Sequence, residues 1–95
     1  MTQAADPTPL QLSFGRVLRR LRTEREISQG ALALECDLDR TYISLLERGL
    51  RQPTLTTLVV LGTALNVDPA DLVRQTVAAT LSSATLKPKL SRLSK

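Results

Sequence analysis

The stretch Ser28–Gly49, SQGALALECDLDRTYISLLERG, constrains the fold more than any other part of the chain. Ser28 suits a helix N-cap, because its hydroxyl can accept a backbone N–H that the first turn leaves unpaired. Leu32, Ala33 and Cys36 then form one stripe, and Ala33 is small enough to let a neighbouring helix approach closely. Asp37-Leu38-Asp39 breaks the pattern. Asp37 tolerates a left-handed backbone, Leu38 plugs the core, and Asp39 caps a second helix. In that helix Ile43 and Leu46 point inward, Arg40, Thr41, Ser44 and Arg48 share the opposite side, and Gly49 ends it. The stretch predicts two short helices joined by a tight turn, with a polar and basic row facing outward.

The flanking segments read as helices that hold this pair at a fixed angle. Thr8-Pro9-Leu10-Gln11 can open a first helix, with Thr as cap, Pro in the first turn and Gln closing a capping box; a start near Ser13 is the alternative. Phe14, Val17, Leu18 and Leu21 fall at i, i+3, i+4 and i+7, one apolar stripe, while Arg16, Arg19, Arg20, Arg22 and Arg25 take the other faces. Thr54, after Pro53, caps a fourth helix, with Leu55, Leu58, Val59, Gly62 and Leu65 expected to face the core. Asp68-Pro69-Ala70-Asp71 starts a fifth helix that runs to Leu81. Val73, Val77, Ala78 or Leu81 would be exposed there unless something covers them. The sum is all-α: one compact five-helix domain over 10–81, a flexible N-terminal tail over 1–9, and a flexible basic tail over 82–95 carrying Lys87, Lys89, Arg92 and Lys95.

Composition agrees and narrows the function. A chain of 95 residues holds one core, and a domain this small gains stability from dimerisation. Its 42% apolar content is mostly aliphatic, with Phe14 and Tyr42 the only aromatics, which favours packed helices over a sheet. The net charge of +4 suits a polyanionic partner, either nucleic acid or an anionic membrane. Arg outnumbers Lys ten to three and clusters at 16–25 and 40–51, and Arg is the side chain suited to bidentate phosphate and guanine contacts. With no histidine, a His-dependent metal site, triad or acid–base pair is excluded. No metal-ligand cluster or glycine-rich phosphate loop stands out, so neither an enzyme nor a cofactor is expected. The single Cys36 cannot form an internal disulfide and reads as a small core residue rather than a redox switch. The N-terminus has no signal-peptide pattern, and no apolar run approaches the roughly 18–20 residues that span a bilayer. A cytoplasmic, nucleoid-associated protein is the expectation, with no membrane partner.

From about Leu12 to Val73 the chain resembles the Cro/CI-type (XRE-family) helix-turn-helix domain. The elements that carry the resemblance are Leu21-Arg22, Ser28-Gln29, Leu32-Ala33, Tyr42-Ile43-Ser44, Glu47-Arg48-Gly49, Pro53-Thr54-Leu55 and Ala64-Leu65-Asn66-Val67, in the family's order. The resemblance implies a lambda-repressor-like fold with the helix-turn-helix at helices two and three. Two positions depart from it. Asp37 stands where the family often has Gly, and Gly30 stands where it favours an acid.

Carried across by position, Arg40, Thr41 and Ser44 resemble residues that read base edges in the major groove. Arg40 could bond guanine O6 and N7 in a bidentate pair, and the Thr41 methyl could touch a thymine methyl. Leu45 sits beside this face; it either contacts thymine or is partly buried against helix four. Gln29 resembles a phosphate-binding residue at a helix N-terminus, and Tyr42, Arg48 and Arg51 are further phosphate candidates. For Tyr42, packing of one ring face on the core is the alternative. Arg22 and Glu47 resemble the family's internal ion pair. Helix-five pairing is known in one-domain members, which points to Val73, Val77 and Leu81 as a dimer interface. The implied function is sequence-specific binding of a double-stranded DNA operator, expected to be an inverted repeat, by a homodimer. Such a protein regulates transcription as a small autoregulating repressor or activator, for instance a restriction–modification controller or a mobile-element regulator, with RNA polymerase as a further partner. The alternative is an antitoxin that binds a partner protein and its own operator.

Overall fold

The computed structural model describes residues 6–82, and each of its helices begins at a side chain that accepts a hydrogen bond from the first turn. Thr8 caps α1 (Pro9–Glu24) in a full capping box with Gln11. The helix therefore starts at Pro9, not at Ser13. Ser28 caps α2 (Gln29–Cys36), Asp39 caps α3 (Arg40–Glu47), Thr54 caps α4 (Leu55–Leu65), and Asp68 caps α5 (Pro69–Leu81). These five helices, with no strand among the described residues, make the fold all-α. Left-handed residues close the turns: Glu26 after α1, Asp37 between α2 and α3, Gly49 after α3 and Asn66 after α4. The expected N-terminal tail falls partly, and the basic C-terminal tail almost wholly, outside the described residues.

The core is assembled from one stripe of every helix. Phe14, Val17 and Leu18 of α1 meet Leu32, Ala33 and Cys36 of α2, Ile43 and Leu46 of α3, Leu61 and Leu65 of α4, and Leu72 of α5. Burial, with a smaller contribution from Glu35, pushes the Cys36 thiol above its ordinary pKa, as a core position does.

The inward face of α4 differs from the expectation. Leu55 is 79% and Val59 49% exposed, while Thr57, Leu61, Gly62 and Leu65 are buried. The sequence LTTLVVLGTAL is apolar on several sides, so its periodicity does not select a face. Tertiary packing selects one, and it can bury Thr57 because the hydroxyl lies 2.9 Å from Thr54 Oγ1. In α5 the same solution recurs: buried Thr76 and Thr80 donate to the carbonyls of Leu72 and Thr76, four residues back.

Two helical glycines set how closely the helices pack. A Cβ on Gly15 would lie 2.6 Å from Leu46 O, so α1 crosses the last turn of α3 backbone against backbone. A Cβ on Gly62 would lie 2.7 Å from Val67 O, where α4 meets the start of α5.

Candidate nucleic-acid interface

The α2–α3 pair is built from local chemistry. Asp37 turns the chain with a left-handed backbone (φ 56°), and Leu38 N donates to Ala33 O at 2.9 Å. Asp39 Oδ1 then accepts from Thr41 N at 2.7 Å and starts α3. Ile43 and Leu46 are fully buried, which fixes the rotation of α3 about its own axis. The opposite side is left outward. Arg40, Thr41 and Arg48 are exposed there, with Ser44 and Leu45 half-buried. Leu45 thus keeps part of its surface open, whichever of its two expected roles it takes.

A buried polar joint ties the outward helix to α1. Arg22 Nε donates to Glu47 Oε2 at 2.6 Å and Nη2 to Oε1 at 3.0 Å, a bidentate pair, while Nη1 donates to Ile27 O at 2.8 Å. The Glu47 side chain is only 3% exposed, so its charge depends on these partners. Hydrogen bonding to Glu47 raises the Arg22 pKa further, against an opposing effect of burial. Gln29 joins the same carboxylate, its Nε2 donating to Glu47 Oε1 at 3.0 Å. The sequence carries no mark of the Gln29–Glu47 contact; a polar residue opening one helix and an acid closing the next give no local signal of it. For Gly15 a signal does exist, since a lone glycine inside a helical pattern marks close packing.

The remaining candidates fall into two groups. Tyr42 is half-buried against the core, its hydroxyl 3.4 Å from Thr57 Oγ1, while Arg51 is exposed in the loop after α3. At the start of α2, Ser28 Oγ accepts from Ala31 N at 3.0 Å. The N–H groups of Gln29 and Gly30 are left without a protein acceptor among the described residues, a local excess of donors that suits an anion. Val73 and Val77 lie on α5, 46% and 38% exposed, and Leu81 is half-buried. With Leu10, Phe14, Pro53 and Leu58, the two valines line a shallow apolar groove.

Among the described residues no group of three or more His, Cys, Asp or Glu could hold a metal ion, and no helix is long and apolar enough to cross a membrane. The chemistry on offer is that of recognition: an outward helix with hydrogen-bonding and cationic side chains, held from behind by a buried ion pair.

A helix-turn-helix family model matches residues 18–72, more than half of the chain. The chain is 45% identical over 65 residues to the control protein C.BamHI of Bacillus amyloliquefaciens, spanning 67% of this chain and 80% of that one. Among solved structures it is similar to the restriction–modification controller protein C.AhdI of Aeromonas hydrophila, with TM-score 0.64 and 42% identity over 65% of this chain and 94% of that one. It is also similar to the controller protein C.Esp1396I, solved as a tetramer with its natural 35 base-pair operator, with TM-score 0.68 and 30% identity over 76% and 95% of the two chains.

Proposed function

The chain belongs to the XRE-type helix-turn-helix family of transcriptional regulators, and from that premise we propose that it is a restriction–modification controller acting as a homodimer on an inverted-repeat operator. The observation that carries this reading is the outer face of α3. Arg40 and Thr41 stand exposed on a helix whose inner side is fully buried, so their position relative to a DNA groove is set by the fold rather than by side-chain flexibility.

In this reading α3 lies in the major groove. Arg40 bonds a guanine through both arms of its guanidinium, which is worth about 1–3 kcal/mol of discrimination. Thr41 and Ser44 bond further base edges, and Leu45 offers an apolar contact to thymine. Gln29, Tyr42, Arg48 and Arg51 contact phosphates, and the open N–H groups at the start of α2 add to them. Gln29 keeps one amide hydrogen for a phosphate while the other stays on Glu47. Two copies paired through Val73, Val77 and Leu81 present two such helices to half-sites about 34 Å apart, one turn of DNA. Control of transcription then follows from where the operator lies relative to a promoter and from the protein's own concentration. The protein would act in the cytoplasm, on the nucleoid. The relatives reported above are named as control proteins, which favours this reading over that of an antitoxin.

Selection from random duplexes tests it. The expected product is an inverted repeat whose half-sites share a guanine-containing core. Enrichment of a single unpaired half-site would overturn the dimer, and no enrichment over the starting pool would overturn sequence-specific binding.

A further inference from the structure

We propose that Gly30 is a specificity-determining position, keeping the Arg40 guanidinium free for a base by placing no carboxylate beside it. The inference rests on the reading of Arg40 as a base contact.

The other glycines each have a backbone reason to be glycine. Gly49 has a positive φ, and a Cβ on Gly15 or Gly62 would collide with a carbonyl oxygen. Gly30 has neither constraint. Its φ is not left-handed, and an added Cβ would find only Arg40 Cδ at 3.8 Å and Ser28 Oγ at 3.9 Å, ordinary contact distances. Yet it occupies the second position of α2, where glycine is among the poorest helix formers and a carboxylate is favoured by the helix dipole. Neither space nor backbone explains the choice.

What a side chain at position 30 would meet is Arg40. Among the described residues Arg40 makes no ion pair. Asp39 is committed to capping α3 through Thr41 N, Glu47 is held by Arg22 and Gln29, and Asp37, exposed at the turn three residues before Arg40, makes no ion pair with it. A carboxylate at position 30 would lie within reach of the guanidinium and would accept its N–H groups in a charge-assisted pair. The fork that a guanine needs would then be occupied by the protein itself. Arg40 would have to give up that pair to read a base, and the preference for cognate DNA would fall. Glycine removes the competitor, at some loss of helix propensity. Residue 30 thus acts through Arg40 without touching DNA.

The test uses the full chain and two labelled duplexes of equal length, the selected operator and a shuffled version, and reads the ratio of their affinities. Gly30→Ala is expected to leave the ratio within about twofold of the parent, because a methyl group cannot compete for the guanidinium. Gly30→Glu should lower the ratio about tenfold, the scale of one bidentate base contact. In an Arg40→Ala background the same Gly30→Glu change should lower it no further. Thermal melts of each variant verify that the helices remain folded. A fall of both affinities in parallel would mean simple repulsion from phosphate and would overturn the proposal. So would an unchanged ratio in Gly30→Glu when Arg40→Ala alone lowers it. If Arg40→Ala itself leaves the ratio unchanged, the base-reading role of Arg40 fails, and this proposal fails with it.

Discussion

Arg22 and Arg40 are the same side chain in two opposite settings. At the α1–α3 joint every arm of Arg22 is used inside the protein: two on Glu47 and one on Ile27 O, with the side chain 11% exposed. On the outer face of α3, Arg40 is exposed and makes no ion pair among the described residues. The two regions share one helix, since Glu47 ends α3 and Arg40 begins it. A satisfied, desolvated ion pair resists rotation of the helix, and an unpaired solvated guanidinium loses little when it trades water for a base. Stability should therefore concentrate at the joint and recognition on the outer face.

Substitutions can separate the two. Glu47→Ala is expected to have the largest effect, lowering the unfolding free energy by about 3–5 kcal/mol because Arg22 keeps its charge and loses its main partner. Urea denaturation reads this, and a loss below about 1 kcal/mol, typical of an exposed pair, would remove the joint's special status. Gly15→Ala comes next, at about 1–3 kcal/mol, since a methyl group must push α1 off the last turn of α3. Its melting temperature should fall even though alanine is the better helix former.

Arg40→Ala should reverse the pattern. Stability is expected to stay within about 0.5 kcal/mol of the parent, while the preference for operator over shuffled DNA falls by about 1–3 kcal/mol. A large loss of stability here would merge the two regions. Arg51→Ala is the mildest: both DNAs should bind somewhat more weakly, with the salt slope of binding reduced by about one and the preference unchanged. An altered preference would move Arg51 from the backbone to the bases.

What could be read from the sequence was chemistry confined to a few neighbouring residues. The caps at Ser28, Thr54 and Asp68, the left-handed Asp37, and the inward Ile43 and Leu46 follow from side chains acting on their own backbone or from a clean helical period. The helix-turn-helix resemblance rested on the same kind of local signal, repeated in order along the chain. The inward face of α4 was not legible, because leucine and valine lie on several of its sides and any of them could have been buried. Nor was the link from Gln29 to Glu47, whose 18-residue separation carries no pattern.

The base-reading and phosphate-binding candidates remain proposals that DNA binding will test, but the structure changes what each has to work with. Gln29 is already engaged by the joint, Tyr42 is partly committed to the core, and Arg40 passes beside Gly30 with room around it. By itself the sequence determined the helices, most of their ends and the turn between α2 and α3, because propensity, capping and turn chemistry act within a few residues. Tertiary structure alone decided the face α4 buries, the contact of α1 backbone with α3, and the freedom of Arg40. Those depend on which surfaces exclude water together, and that is settled only when all five helices are packed at once.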